Sequence, residues 1–147
     1  MHVDVKNLVK PRGPVLAVDP GEKRVGVAIS DPGGVLARGL TVLEASGGRS
    51  VEGELTRLVE GNRVTRIVVG LPLNLNGSEG EQSRKARRLG DRLRLLTGVE
   101  VEMWDERLTS LQADKILLEA DLSRRKRRRK IDLLSARIIL QSYLDCR

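Results

Sequence analysis

Residues Val15 to Asp31 read Val-Leu-Ala-Val-Asp-Pro-Gly-Glu-Lys-Arg-Val-Gly-Val-Ala-Ile-Ser-Asp, two apolar runs separated by a short polar turn. A β-branched run that stops at Asp-Pro-Gly and then resumes is the pattern of a hairpin. This pairing commits the chain to a sheet that starts antiparallel, with strands over Val15–Asp19 and Val25–Ser30. Side-chain alternation puts Asp19 on the face of Val15 and Ala17, at the carboxyl end of the first strand. Two readings of Asp19 are open at this point. Asp then Pro is ordinary turn chemistry, and a strand that ends on an aimed carboxylate also suits a metal ion or a phosphate.

The rest of the chain supplies more elements. Asp31-Pro32-Gly33-Gly34 turns into a third strand over Val35–Val42, completing an antiparallel meander. After Gly47-Gly48, a helix over Ser50–Glu60 carries Leu55, Leu58 and Val59 on one side. Arg66–Leu71 (Arg-Ile-Val-Val-Gly-Leu) is a short continuous apolar run, as in a strand covered on both faces of a parallel sheet. The loop Pro72–Gly77 ends at Ser78-x-x-Glu81, a capping-box pattern that predicts a helix to about Leu96, with Ala86, Leu89, Leu93 and Leu96 as its stripe and Thr97-Gly98 as its stop. Val99–Trp104 alternates as a strand with one solvated face. A second box, Thr109-x-x-Gln112, predicts a helix to about Leu122, and a final helix runs from about Ile131 to Leu144.

The order βββ-α-β-α-β-α-α predicts an α/β fold with a central mixed five-stranded sheet, a three-strand antiparallel meander plus two parallel strands, flanked by helices. Two right-handed crossovers return to the one sheet. This is the element order of the ribonuclease H-like fold, an analogy of architecture that does not by itself carry a function. At 147 residues the chain is sized for one domain. It is expected over residues 15–147, after an N-terminal extension of residues 1–14.

Charge and rare residues narrow the chemistry. The net charge is +7, and Arg124, Arg125, Lys126, Arg127, Arg128, Arg129 and Lys130 are consecutive, so without them the chain would be neutral. That run is expected to grip the phosphates of a nucleic acid, although a charge run is also often just a solvated segment. With one Trp, one Tyr and no Phe, stacking platforms for single strands are excluded. His2 and Cys146 alone cannot build a zinc site or a Ser-His or Cys-His catalytic pair. No apolar run is long enough to span a membrane. The lone Cys fits a reducing compartment, so a cytoplasmic location is expected.

Carboxylates remain. Asp105-Glu106 follows the strand Val99–Trp104, and ligand sites of open α/β sheets gather outside the carboxyl ends of strands. Asp132 lies, at helical spacing, on the face of Ala136, Ile139 and Tyr143, directed toward the sheet. A first-turn Asp can cap a helix, but capping does not require the inward face. A buried carboxylate must be neutralised by a proton, an Arg or a metal. Asp19, Asp105 or Glu106, and Asp132 would offer hard oxygen ligands suited to Mg²⁺ or Mn²⁺. Metal-assisted phosphodiester hydrolysis follows, with two ions about 4 Å apart as the expected arrangement.

With these residues in hand, the chain resembles the YqgF/RuvX family, ribonuclease H-like proteins described as Holliday junction resolvases and as pre-16S rRNA nucleases. The matching stretches are Val18–Asp31, Val69–Gly77, Asp105–Ser110, Lys130-Ile-Asp132 and Ile139–Asp145. The resemblance implies catalytic Asp19, Glu106 and Asp132, with Asp105 in reserve for the middle position. It also implies processing of pre-16S rRNA, on ribosomal precursor particles. The loop residues Asn74, Asn76 and Gly77 lie before a helix N-terminus that can accept a phosphate. Structured RNA or branched DNA are both open as substrates, as are monomer and homodimer. The rival classes are a non-catalytic nucleic-acid-binding module and an actin-like phosphotransferase, which needs two such lobes where this chain has no internal repeat.

Overall fold

A computed structural model of the chain describes residues 13–46, 50–108 and 124–146. The expected helix from Thr109 to Leu122 and residues 1–12 of the expected N-terminal extension lie outside them. Strands β1 (Val15–Pro20), β2 (Arg24–Ser30), β3 (Ala37–Glu44), β4 (Arg66–Leu71) and β5 (Glu100–Asp105) form one sheet in the order β3-β2-β1-β4-β5. The first three pair antiparallel, while β4 runs parallel to both β1 and β5. The hairpin strand that carries Asp19 is therefore the central one.

Alternation along β1 divides the core into two layers. Leu16 and Val18 pack with Leu55 and Val59 of helix α1 (Val51–Gly61) and with Ala86 and Leu93 of helix α2 (Glu81–Thr97). Val15 and Ala17 face the other way, with Ala28 and Val68, onto Ala136, Ile139, Leu140 and Tyr143 of helix α3 (Arg124–Asp145). Both faces of β1 and β4 are buried, which is why Arg66–Leu71 reads as an unbroken apolar run.

Several boundaries differ from expectation by one or two residues, and a few by more. The β3 strand starts at Ala37 because the Asp31 carboxylate accepts from the N–H groups of Val35 and Leu36 at 2.8 and 2.9 Å, holding both in the turn. Those bonds, Leu36's foremost, keep the Asp31 carboxyl below its ordinary range. Helix α2 starts at Glu81 with Gly80 at the cap, so the Ser78 box does not form. Ser78 instead donates its amide and hydroxyl to Asn76 Oδ1 at 3.0 and 2.6 Å. Strand β5 ends one residue later than expected, at Asp105. Finally, α3 includes Arg124 to Lys130, so the basic run is helix and not a connecting segment. Arg and Lys are good helix formers, and a helix nucleated by its packed half propagates at little cost.

Where β4 begins, at one end of the sheet, Arg66 ties three elements together. Its guanidinium donates to Glu102 at 3.1 Å, Glu100 at 3.0 Å and the Tyr143 hydroxyl at 3.2 Å. Tyr143 meets Trp104 edge to face, with ring centroids 5.5 Å apart. Both aromatic rings are thus used in packing α3 onto the sheet.

Candidate nucleic-acid-cleaving site

Asp19 is half-buried at the carboxyl end of β1, on the face that α3 covers. What stands on either side of it is set by two glycines. In the β1–β2 pairing Asp19 is opposite Gly26. A Cβ on Gly26 would fall 2.9 Å from the carbonyl carbon of Asp132 and closer still to its oxygen. The α3 backbone therefore lies directly on β2 at Asp132, and only a residue without a side chain lets it do so. On the other flank, β4 pairs with β1 up to Val18 and Val69, and the same register brings Gly70 alongside Asp19. A Cβ on Gly70 would meet Glu106 Oε1 at 2.7 Å and Ile139 Cδ1 at 2.8 Å. Glu106 begins the 3₁₀ turn Glu106–Leu108 and folds its carboxylate back over β4.

Asp19 thus stands between two acidic residues, Asp132 over β2 and Glu106 over β4, on one face of the sheet. Neighbouring strands are about 4.8 Å apart, so the flanking positions are roughly 10 Å from each other. Among the described residues no three His, Cys, Asp or Glu side chains are grouped closely enough to hold a metal ion. The Asp132 carboxylate is instead engaged: Arg24 Nε donates to its Oδ2 at 2.6 Å, with the two side chains 23% and 22% exposed. Of the three neutralising partners open to an inward Asp132, the folded chain uses an arginine. As a donor set, these carboxylates supply only hard oxygens and so fit Mg²⁺ or Mn²⁺.

Asp105 takes another direction. Its neighbours in alternation, Val101 and Met103, pack toward α1 and α2, away from the face of Asp19. Its carboxylate accepts from Arg107 Nη2 at 2.8 Å and from the Arg107 backbone N–H at 2.9 Å. Arg107 also donates to the Leu75 carbonyl at 3.3 Å, so the pair braces the loop that follows β4. The Arg107 guanidinium keeps the Asp105 carboxyl below the usual carboxylate range. A carboxyl with a lowered folded pKa contributes stability that is present above about pH 4 and lost as acid protonates the folded form. Asp105→Asn is therefore expected to lower Tm slightly at pH 7, and the gap to wild type should close in melts run progressively below pH 4. A gap that does not depend on pH would remove the ion pair from the loop's support.

The loop itself is closed by its own side chains. Asn74 Nδ2 donates to Ser78 Oγ at 2.9 Å, Asn76 Oδ1 takes both Ser78 donors, and Gly77 adopts φ 85°. Asn74, Asn76 and Gly77 are exposed. Their polar groups shape the turn, a role that the Asn-Gly spelling of the loop also signals.

The basic run occupies the start of α3. The helix lies on the sheet at Asp132 and Leu133, over Gly26 and Gly39, and the basic run lies N-terminal to that contact. Lys126, Arg128, Arg129 and Lys130 are exposed and Arg127 is half-buried. Sequence reasoning did not single out Arg24, Gly26 or Gly70. The motif that contains Arg24 and Gly26 was visible, but the helix that meets them comes from more than 100 residues further on.

Residues 13–146 match the family described as RuvX: Holliday junction resolvase. A protein of Clostridioides difficile is 43% identical over 133 residues, covering 90% of this chain and 94% of its own length. One from Dictyoglomus thermophilum is 46% identical over 131 residues, covering 89% and 94%. Both carry the provisional designation of pre-16S rRNA nuclease. Among solved structures, RuvC of Thermus thermophilus in complex with a Holliday junction substrate is similar in fold, with a TM-score of 0.58 at 16% identity, covering 90% of this chain and 94% of that one.

Proposed function

The chain belongs to the RuvX family, and on that footing we propose that it is a divalent-metal-dependent nuclease that hydrolyses phosphodiester bonds in structured nucleic acid, with pre-16S rRNA as its substrate in ribosome biogenesis. The observation that carries the reading is Asp19 at the end of the central strand, with Asp132 and Glu106 on either side of it and on the same face. Asp19, Glu106 and Asp132 are the residues that would hold Mg²⁺ or Mn²⁺. When bound, the metal supplies an activated water and charge stabilisation for the leaving oxygen.

The chain's own groups do the remaining work. Gly26 and Gly70 let Asp132 and Glu106 approach Asp19. The Asp105–Arg107 brace holds the loop of Asn74, Asn76 and Gly77 beside the same sheet end. Arg124 to Lys130, on the helix that delivers Asp132, grip the phosphate backbone and seat the scissile strand over the carboxylates. The nuclease domain on this reading is residues 15–147. No described helix is long and apolar enough to cross a membrane, and the proposed working place is the cytoplasm, on ribosomal precursor particles. One copy suffices to trim an rRNA end, whereas symmetric cutting of a four-way junction requires two.

The deciding test is a Mn²⁺ cleavage assay on precursor rRNA and on four-way junction DNA in parallel, with Asp19→Asn as the control. Cleavage of the rRNA in preference to the junction is expected. Preferential junction cleavage would make branched DNA the substrate. Equal products from wild type and Asp19→Asn would remove the catalytic assignment and leave a binding module. A second measurement addresses the basic helix. Replacing Lys126, Arg128, Arg129 and Lys130 with Gln is expected to flatten the salt dependence of duplex DNA binding, by about 0.9 in log–log slope per lost contact. An unchanged slope would return the run to a merely solvated helix.

A further inference from the structure

Arg24 is the first residue of β2, directly after the hairpin turn. Alternation puts it on the face of Gly26 and Ala28, the face covered by α3. Its Nε donates to Asp132 Oδ2 at 2.6 Å, and the half-buried setting of both groups makes this contact stronger than a surface ion pair. The guanidinium thus sits within hydrogen-bonding reach of a carboxylate that the proposed function needs for a metal. A divalent cation on Asp132 would face the positive charge of Arg24 at close range. Both cannot hold the same oxygen.

We propose that Arg24 is a placeholder and substrate-positioning residue: it neutralises Asp132 while the site is without metal, and yields that carboxylate when the cation enters, turning its guanidinium to a phosphate oxygen of the substrate. The inference rests on the metal-nuclease reading above. It assigns a role to a residue outside the carboxylate set and makes metal entry and substrate grip mutually dependent. Three features support the exchange. Arg24 stands at a strand end beside a turn, so its side chain can swing without moving the sheet. A guanidinium binds carboxylate and phosphate with the same fork of N–H donors. The exchange also leaves Asp132 paired at each stage, so the half-buried carboxylate always has a counter-charge.

The test measures Mn²⁺ binding by titration calorimetry on the full chain, without nucleic acid, for wild type, Arg24→Gln and Arg24→Lys. Removing a competing cation is expected to tighten Mn²⁺ binding about fivefold in Arg24→Gln, the scale of a partly exposed ion pair, with Arg24→Lys close to wild type. A companion measurement follows binding of a short hairpin RNA in Ca²⁺ and in EDTA. Arg24→Gln should lower the salt slope by about one phosphate contact in Ca²⁺ and leave it unchanged in EDTA. Arg24→Met, which keeps an unbranched apolar stem without the charge, serves if the Gln variant does not fold. Mn²⁺ affinity that is equal in wild type and the neutral variant, or weaker in the variant, overturns the exchange while leaving the nuclease reading intact. Absence of Mn²⁺ binding in wild type overturns the nuclease reading itself.

Discussion

Asp19→Asn is expected to lower Mn²⁺-dependent cleavage by about 10²- to 10³-fold, the scale seen when one group stabilising developing charge is removed. Binding of the same nucleic acid should change little. The amide is isosteric, so β1 keeps its packing and its pairing with β2 and β4. What disappears is the charge at the point between Asp132 and Glu106. The groups proposed to grip phosphate are other side chains, Arg124 to Lys130 on α3 and Arg24 on β2. Cleavage rate and salt-dependent binding, measured on one preparation, should therefore separate cleanly. A parallel loss of both would point to unfolding, and retention of both would show that Asp19 is only a turn residue.

Gly26→Ala carries the largest expected effect on stability. Its Cβ would collide with the backbone carbonyl of Asp132, which cannot rotate away. The helix must lift from the sheet, and overpacking of this kind costs about 3 kcal/mol. For a domain of this size that corresponds to a Tm drop of about 10 °C. Gly70→Ala offers the contrast. There the added methyl meets only the tips of Glu106 and Ile139, which can move. Its stability loss should stay below about 1 kcal/mol, while the displaced Glu106 carboxylate lowers cleavage about tenfold or more. Thermal melts and cleavage rates on both variants check the pair. Similar Tm values for Gly26→Ala and wild type would mean that α3 does not rest on β2 at that point.

The inward position of Asp132 was legible because helical spacing ties it to Ala136, Ile139 and Tyr143, all buried against the sheet. Asp19 was legible because strand alternation and the turn after it act within a few residues. Asp105 and Glu106 could not be told apart from the chain. Adjacent residues at a strand end differ only in which face they take, and that depends on which helices cover each face. The Ser78 box failed for a similar reason. Its hydroxyl oxygen accepts from Asn74 Nδ2 and donates to Asn76 Oδ1, partners within the loop, in place of a helix N–H.

The sequence by itself determined the five strands, the helices among the described residues and the meander-then-crossover order, because hydrophobic periodicity and turn chemistry are local. It also left a zinc site and Ser-His or Cys-His catalysis without the residues they need, since the chain has one His and one Cys. Only the tertiary structure decided what stands next to each of the candidate carboxylates. Strand register set Asp19 beside Gly26 and Gly70, and the crossing of α3 set Asp132 against Arg24, 108 residues away. Those contacts depend on how whole elements pack. No local pattern records a close approach until the two surfaces have been brought together.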